Sequence, residues 1–237
     1  MGEGFGNEAL IMPFVSSANI ACGYHAGDEN IMRHTIDLAI KHRVAIGAHP
    51  SFPGRADFGR TEMRLPLNEI HELVTRQLQL LREVLVPFQI QMRHVKPHGA
   101  LYNIAARDAA IAKTVAQAVK DVDPSLVLFG LSGSHSIDEA KAIGLATASE
   151  VFADRSYQDD ATLTPRSQPG AMIEDTNIAV QQVLQMITEG VVTSLHGKRI
   201  TLLTQTVCIH GDSIHAPGFA EAIFQKLNEN KIVIKAR

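Results

Sequence analysis

The feature that most constrains the fold is a regular alternation between short apolar runs and amphipathic stretches with helical spacing. This alternation predicts a parallel sheet with helices packed outside it. In the clearest helix, residues 66–85, Ile70, Leu73 and Leu81 belong to one apolar stripe. Other helices are predicted after Asp28, near residues 108–119, and over residues 134–143, 174–189 and 216–228. Six strands are predicted, over residues 17–23, 44–48, 94–96, 126–130, 146–152 and 207–210.

The length and composition fit a single α/β domain over residues 1–237, of which 45% are hydrophobic. The net charge of −3 gives no reason to expect a nucleic-acid or membrane partner. Cys22 and Cys208 are expected to be small buried hydrophobes rather than a disulfide. Residues 1–9 lack the basic region of a signal peptide, and no long apolar run occurs, so we expect a cytoplasmic protein.

Polar clusters follow nearly every predicted strand. In parallel α/β folds the carboxyl ends of the strands share one face, and sites are built there from several loops. The sequence therefore predicts a histidine-rich polar site on that face. We assign eight residues of these clusters to catalysis: His25, His49, Lys96, His98, Asp154, Arg155, His210 and Asp212.

The residue types indicate what this site could do. His25 and His49 each follow a strand, and an imidazole pair with a carboxylate is a common ligand set for a divalent metal. Asp28 is interpreted either as that carboxylate or as the N-cap of the next helix. A lysine withdrawn from water, as we expect for Lys96, can polarise a carbonyl or hold a carboxylate.

Two neighbouring pairs allow alternative interpretations. Asp154 and Arg155 either serve the site or pair with each other. Asp212 either takes part in catalysis or only orients His210 through a hydrogen bond.

Two long loops rich in Gly and Pro, residues 50–64 and 157–171, are typical of lids or substrate clamps. They carry Arg60 and Arg166, whose side chains suit carboxylates and phosphates. Residues 130–134 (GLSGS) form a Gly/Ser turn, a weak pattern for an anion site at a helix start. The sequence contains no GxxxxGK[ST] loop and no GxSxG elbow, which disfavours a P-loop nucleotide site and a serine hydrolase.

Several segments resemble the LamB/YcsF family, in the family's order and over nearly the whole chain. They are GEGFG (2–6), SANIACGYHAGD (17–28), AIGAHPSFP (45–53), FGR (58–60), HVKPHGALYN (94–103), EVFADRSY (150–157), PRSQPGA (165–171) and TVCIHGD (206–212). The two longest, HVKPHGALYN and SANIACGYHAGD, make a chance match negligible.

The resemblance implies an irregular seven-stranded β/α barrel, similar to the glycoside hydrolase/deacetylase superfamily. It implies the activity of the 5-oxoprolinase A subunit, with ATP-dependent opening of 5-oxo-L-proline to L-glutamate, ADP and phosphate. ATP would be shared with partner subunits B and C, and a divalent metal held by His25 and His49 is a further expectation. Lys96 or Arg155 would hold carboxylate or phosphate, and His25, His49 or His98 would handle protons or the metal. Substrate binding is assigned to Glu3, Arg60, Tyr102 and Arg166.

The sequence departs from the family's pattern at its start. Relatives begin with a strand that reads approximately IDLNxDLGEG, and Met1 stands at the last Leu of that strand. The first barrel strand is therefore expected to be truncated and to lack the aspartates, one of which helps to bind metal in the related deacetylases. Either the start was set too far downstream, or the barrel has a gap. Glu3 is the candidate to replace this carboxylate in part.

Two other functions remain open from the sequence. The histidine pair and the superfamily fold favour a stand-alone metal-dependent deacetylase or amide hydrolase. The truncated first strand favours a non-catalytic scaffold that only binds partner subunits.

Overall fold

The computed structural model describes residues 1–236 and contains a curled, mostly parallel sheet of six strands with helices outside, a β/α half-barrel. The order in this sheet is β1-β2-β3-β4-β5-β8, and all its neighbours run parallel. The strands are β1 (Ser17–Ala21), β2 (Ala45–His49), β3 (His94–Val95), β4 (Val127–Leu131), β5 (Ala146–Phe152), β6 (Val191–Thr193), β7 (Arg199–Thr201) and β8 (Thr206–Cys208). The six strands expected from the sequence are confirmed.

The two edges of the sheet are β1 and β8, which are not paired with each other within the described residues. Met1 continues the hydrogen bonding at the β1 edge, because its ammonium donates to the Asn19 carbonyl and its carbonyl accepts from the Ala21 N–H, at 3.1 and 3.0 Å. The resemblance implies seven strands, and this sheet contains six within residues 1–236.

Eight helices occur in the described part of the chain. They are α1 (Glu8–Ile11), α2 (Glu29–His42), α3 (Leu67–Leu85), α4 (Gly99–Arg107), α5 (Ala109–Val122), α6 (His135–Ala142), α7 (Thr176–Thr188) and α8 (Ala216–Glu229). The stripe on α3 is buried, as its periodicity predicts. Asp28 is the N-cap of α2, since its carboxylate accepts from the Ile31 N–H at 3.0 Å.

The sequence did not predict α1, α4 or the antiparallel hairpin of β6 and β7. The start of α4 carries no helix signal, because its first residue, Gly99, is a poor helix former with a φ of 56°. Glycine is required there by a close approach, since a Cβ on Gly99 would lie 2.5 Å from the Gly59 carbonyl oxygen. This contact holds the FGR motif of the first long loop against the start of α4.

The inside of the curled sheet is partly polar at β3. His94 is 1% exposed; its ring stacks on Phe129 with centroids 4.3 Å apart, and its Nε2–H donates to the Asn19 amide oxygen at 3.0 Å. A Cβ on Gly47 of β2 would lie 2.2 Å from this ring. The His94 ring therefore occupies the space that a side chain at position 47 would need, so only glycine fits there.

The apolar core lies mainly outside the sheet, between the strands and the helices. One cluster joins β1 to β4 with α2, α3 and α5, and another joins β5 and β8 with α7 and α8. Because the core is on the outside, the polar loops at the carboxyl ends of the strands are free to converge. No helix within residues 1–236 combines the length and the apolar character needed to cross a membrane.

Candidate active site

A cavity of about 1000 Å³ lies above the carboxyl ends of β3, β4 and β5, and we call it the C-terminal cavity. Eight of the residues that the sequence assigned to the site line it: His49, Arg60, Lys96, His98, Tyr102, Arg155, Arg166 and His210. A second cavity of about 300 Å³, the edge cavity, lies between β1 and β8 and is lined by Glu3 and Asp212 among others. His49, Lys96, His98 and His210 border both cavities.

Three histidines at the carboxyl ends of β1, β2 and β3 form one buried cluster: His49 is the last residue of β2, and His25 and His98 lie in the loops after β1 and β3. The rings of His25 and His98 are stacked, with centroids 3.9 Å apart and an interplanar angle of 4°. His49 meets His98 edge-on at a centroid distance of 4.8 Å. Phe58, from the long loop after β2, closes the cluster with edge contacts of 5.2 Å to His25 and 5.1 Å to His98. The sequence-predicted convergence of these loops is thus present in the structure.

Backbone carbonyls fix the tautomers of His49 and His98. The Lys96 carbonyl lies 2.6 Å from His49 Nδ1, and the Phe58 carbonyl lies 2.9 Å from His98 Nε2. A carbonyl oxygen only accepts, so these two nitrogens carry the protons. The remaining nitrogens, His49 Nε2 and His98 Nδ1, face each other at 3.0 Å. In the neutral rings each of these two nitrogens bears a lone pair, and the lone pairs repel each other. If either ring moved its proton to the facing nitrogen, its other nitrogen would turn a lone pair to a carbonyl oxygen instead.

Burial keeps both of these rings neutral. Burial lowers the pKa of His98 to about 3, and the neighbouring His25 adds to the effect while Glu3 opposes it. Burial, together with the neighbouring His98, His25 and Lys96, lowers the pKa of His49 well below its ordinary value. Neutral imidazoles are the form that binds a metal ion.

Glu3 completes this group with a carboxylate. Its Oε1 accepts from His25 Nε2–H at 3.2 Å and lies 3.9 Å from His98 Nδ1. Burial works to raise the pKa of the Glu3 carboxyl, but the Met1 ammonium and the neighbouring histidines bring it below the usual range. Glu3 is therefore an ionised, oriented carboxylate next to the two facing imidazole nitrogens.

The donor set fits a divalent cation. One ligand atom each from Glu3, His49 and His98 lie within 4.8 Å of one another, and two histidines with one carboxylate are a common metal-binding combination. His49 was expected from the sequence as a ligand, together with His25. His25 lies outside this set, because both its ring nitrogens have hydrogen-bond partners, Nε2 with Glu3 and Nδ1 with the Ser51 hydroxyl at 2.9 Å.

Ser51 is itself held by α3. The Gln77 side chain, fully buried, accepts from the Ser51 N–H at 3.0 Å and donates to the Ser51 carbonyl at 2.8 Å. This pair of bonds anchors the residue that orients His25, which in turn orients Glu3.

Lys96 is buried beside a carboxylate. Its ammonium lies 2.9 Å from Glu150 Oε1, donates to Cys208 Sγ at 2.8 Å, and lies over the Phe152 ring at 4.9 Å. Burial alone would lower the pKa of Lys96, but the Cys208 and Glu150 contacts raise it above its ordinary value. Burial raises the pKa of the Cys208 thiol to about 12, so Glu150 is the charge partner of Lys96.

His210 is oriented by Asp154. Its Nδ1–H donates to both carboxylate oxygens at 2.9 Å, and its backbone N–H donates to Oδ2 at 3.2 Å. Burial would raise the pKa of Asp154, but His210 holds it below the ordinary value. The other ring nitrogen, Nε2, has no hydrogen-bond partner among residues 1–236 and is free towards the cavity. Of the two interpretations of Asp212, the one in which it orients His210 is wrong, because Asp154 does so.

Arg155 does not have the partner that was considered for it from the sequence. Arg155 does not pair with Asp154: it donates to the carbonyls of Ala171 and Thr164 and ties the loop after β5 to its own strand. Burial and nearby Arg166 lower the pKa of Arg155 to about 10, so it stays charged at neutral pH.

Arg60 forms an ion pair with Asp212 at 2.6 Å and lies over the Phe58 ring. Among residues 1–236, Arg166 makes one side-chain hydrogen bond, to Met172 Sδ at 3.3 Å, and no carboxylate lies within ion-pair distance of it. Tyr102 lies under the Lys96 ammonium at 5.6 Å, and burial raises the pKa of its hydroxyl well above the ordinary value.

Sequence reasoning missed Glu150, Ser51, Gln77 and Phe58. Glu150 had a visible signal, because a glutamate inside the apolar run ATASEVF is expected to need a buried partner. Gln77 had one too, because it lies four residues after Leu73 and four before Leu81, within the apolar stripe of α3, where a polar side chain needs a buried partner.

Comparison with known proteins places the chain in a well-populated group. The model of the LamB/YcsF family matches residues 1–237. The chain is 50% identical to the 5-oxoprolinase A subunit of Bordetella parapertussis, over 100% of this chain and 96% of that protein. It is 51% identical to the 5-oxoprolinase A subunit of Geobacillus kaustophilus, over 99% of this chain and 93% of that protein.

A solved structure supports the same grouping. The lactam utilization protein from Thermus thermophilus superposes with a TM-score of 0.91 at 40% sequence identity. The match covers 98% of this chain and 93% of that chain.

Proposed function

The chain belongs to the LamB/YcsF family, and from this membership and its site we propose that it is the A subunit of an ATP-dependent 5-oxoprolinase. The reaction is the opening of 5-oxo-L-proline to L-glutamate, with ATP converted to ADP and phosphate. The names of the relatives, which refer to 5-oxoprolinase and to lactam utilization, support the substrate class.

The observation that carries the proposal is the convergence of Glu3, His49 and His98. Two neutral imidazoles turn their lone pairs to the same point, beside an ionised carboxylate and a cavity wide enough for a small lactam. These three residues would hold a divalent cation. A bound cation would supply Lewis-acid polarisation of the amide carbonyl.

Proton transfer is assigned to His210. Asp154 holds its Nδ1–H, which leaves Nε2 as the base or acid towards the cavity. Lactam opening needs a base for the attacking water and a proton for the departing nitrogen, and one oriented imidazole can serve both in turn. His25 is a positioning residue, because it acts through Glu3.

Substrate binding is assigned to Arg166, a cation of the cavity that makes no ion pair within the described residues. The charge of Lys96 is balanced by Glu150, whereas Arg166 has no carboxylate partner among the described residues. We assign the carboxylate of 5-oxo-L-proline to Arg166. Lys96 and Tyr102 form the floor beneath the substrate, next to Phe152.

The ATP requirement is assigned to the assembly with subunits B and C. The uncoupled opening of a resonance-stabilised lactam is uphill, and phosphorylation of the amide oxygen would make a better electrophile. The sequence has no GxxxxGK[ST] loop, which agrees with a nucleotide site that the chain shares with its partner subunits.

A second candidate is a metal-dependent amide hydrolase or deacetylase that works alone. The same metal-binding group favours it, because two histidines and a carboxylate at strand ends suffice for metal-assisted hydrolysis. The two candidates differ in their need for ATP and partner subunits.

Reconstitution of the enzyme from its subunits distinguishes the two candidate functions. The full chain is mixed with subunits B and C, ATP and 5-oxo-L-proline, and glutamate is measured with each component omitted in turn. We expect glutamate only from the complete mixture. Glutamate released without ATP and without partner subunits would favour the second candidate, and none from the complete mixture would contradict the proposal.

A further inference from the structure

The Gly/Ser turn before α6 lies in the C-terminal cavity, but the assignments above give it no role. Ser132, Gly133 and Ser134 join the end of β4 to α6 and line the cavity. Because β4 lies between β3 and β5 in the sheet, the turn lies between the loop that carries Lys96 and the loop that carries Arg155. It is therefore placed to meet a ligand that reaches both loops.

The backbone of this turn offers free donors. The Ser134 N–H donates to the Leu131 carbonyl, and the Ile137 N–H donates to the Ser134 carbonyl. Among residues 1–236, no acceptor is found for the N–H groups of Gly133, His135 and Ser136. Such groups at a helix N-terminus point away from the helix and carry its positive dipole end.

A buried hydroxyl at the same place is also without a partner. Ser134 is 7% exposed, and within the described part of the chain its Oγ makes no hydrogen bond. It occupies the N-cap position of α6 with an extended backbone but accepts no cap hydrogen bond. By contrast, Asp28 and Asp108 do cap their helices through their side chains. The Ser134 hydroxyl is thus left without a hydrogen-bond partner within the described residues.

The charges around the cavity favour an anion there. Arg155 is bonded to carbonyl oxygens and Arg166 to a sulfur, so neither charge is balanced by an ion-paired carboxylate within residues 1–236. The acidic residues that border the same cavity are Asp138, which is exposed in the first turn of α6, Glu62, which is in an ion pair, and Asp160.

We infer that the N-terminus of α6 is a phosphate site, in which the N–H groups of Gly133, His135 and Ser136 and the hydroxyl of Ser134 bind one phosphoryl group. The helix dipole and free N–H groups suit this anion. That the phosphoryl group is one used in lactam opening rests on the proposed function, whereas the existence of the site does not. The probe is therefore inorganic phosphate and the full chain alone.

Calorimetric titration with inorganic phosphate at constant ionic strength tests the site. We expect Ser134→Ala to bind phosphate about tenfold more weakly, since one hydrogen bond to a charged group is lost. Ser134→Asp should bind none, because its carboxylate would occupy the donors, while the melting temperature rises through helix capping. Asp138→Asn should bind phosphate more tightly. The matched control is Thr75→Val, which removes another buried unpartnered hydroxyl, on α3 and away from the cavity.

Four results would overturn the inference. The first is that the unaltered chain binds no phosphate in the millimolar range, and the second is that Ser134→Asp binds phosphate as tightly as the unaltered chain. The third is that Thr75→Val loses as much phosphate affinity as Ser134→Ala. The fourth is that Ser134→Ala binds 5-oxo-L-proline more weakly but phosphate as tightly as the unaltered chain. The last would assign the donors to a carboxylate. Failure of glutamate formation in the reconstituted mixture contradicts the proposed function but leaves the phosphate titration interpretable.

Discussion

His49 Nε2 and His98 Nδ1 lie 3.0 Å apart although each ring has already committed its N–H to a backbone carbonyl. Two neutral imidazoles in this arrangement repel each other. Only a further proton or a cation between them relieves the repulsion, and burial disfavours the proton by lowering the pKa of both rings. The nearby Glu3 carboxylate favours the cation.

Removal of either ring should therefore remove the metal. We expect His49→Ala and His98→Ala each to lower the metal content of the purified protein from about one ion per chain to near zero. Elemental analysis after dialysis against trace metal measures this. His196→Ala, at an exposed histidine, is the control, and equal metal in all four proteins would contradict the assignment.

His25 should affect the metal only through Glu3. We expect His25→Ala to weaken metal binding by roughly 10–100-fold, the usual effect of losing an outer hydrogen bond to a ligand. Turnover in the reconstituted complex should be abolished at limiting metal and partly restored by excess metal. Competition with a chelating dye measures the affinity. His34→Ala, at an exposed position on α2, should change neither, and a His25→Ala protein with near-normal turnover would disprove the role.

The two aspartates of the last loops should differ in their effects. Asp154→Asn removes the carboxylate that orients His210, so we expect kcat to fall by roughly 10²–10⁴-fold with little change in KM. Asp212→Asn disturbs only the partly exposed ion pair with Arg60 and should have a smaller effect. Steady-state kinetics of the reconstituted complex measure both. A larger loss of kcat in Asp212→Asn would reverse the assignment.

The Lys96–Glu150 pair should matter most for stability. Glu150→Gln leaves the buried Lys96 ammonium without its charge partner, so the free energy of unfolding should fall by about 3–5 kcal/mol. Urea denaturation measures the change. The matched control is Glu189→Gln, which breaks an exposed ion pair with Arg199 and should cost less than about 1 kcal/mol. Similar losses in the two variants would show that Lys96 is not held by Glu150.

Acid should destabilise the fold through His94. Burial, with a smaller contribution from Lys96, lowers the pKa of His94 from 6.5 to about 3. Below pH 6.5 the unfolded chain binds a proton that folded His94 does not bind. Its contribution is therefore fully present above that pH and is lost as the pH falls towards 3, by up to about 1.4 kcal/mol per pH unit.

The variant His94→Gln keeps a side-chain donor for Asn19 but does not titrate. We expect the free energy of unfolding, measured in urea between about pH 7 and 5, to fall less steeply for this variant than for the unaltered protein. His196→Gln, at an exposed position, should leave the slope unchanged. Equal slopes for His94→Gln and the unaltered protein would contradict the lowered pKa.

The sequence by itself determined the strand–helix alternation and the face on which the polar site lies. Strands show as short apolar runs and helices as a stripe with a period of about 3.6 residues, and both signals are local. Parallel strands all point the same way, which puts the carboxyl ends of β1, β2, β3, β5 and β8 on one face, so five polar clusters could be assigned to that face before any contact was known. The family resemblance follows from the same local motifs.

Only the tertiary structure decided which side chain meets which partner. Asp154 rather than Asp212 orients His210, His98 takes the place expected for His25 as the second imidazole, and Glu150 neutralises Lys96. These pairings join residues from different loops, and they depend on side-chain directions within an ångström or two. Hydrogen bonds and ion pairs act over such short distances that sequence spacing, which fixes only the loop, does not select among the candidates.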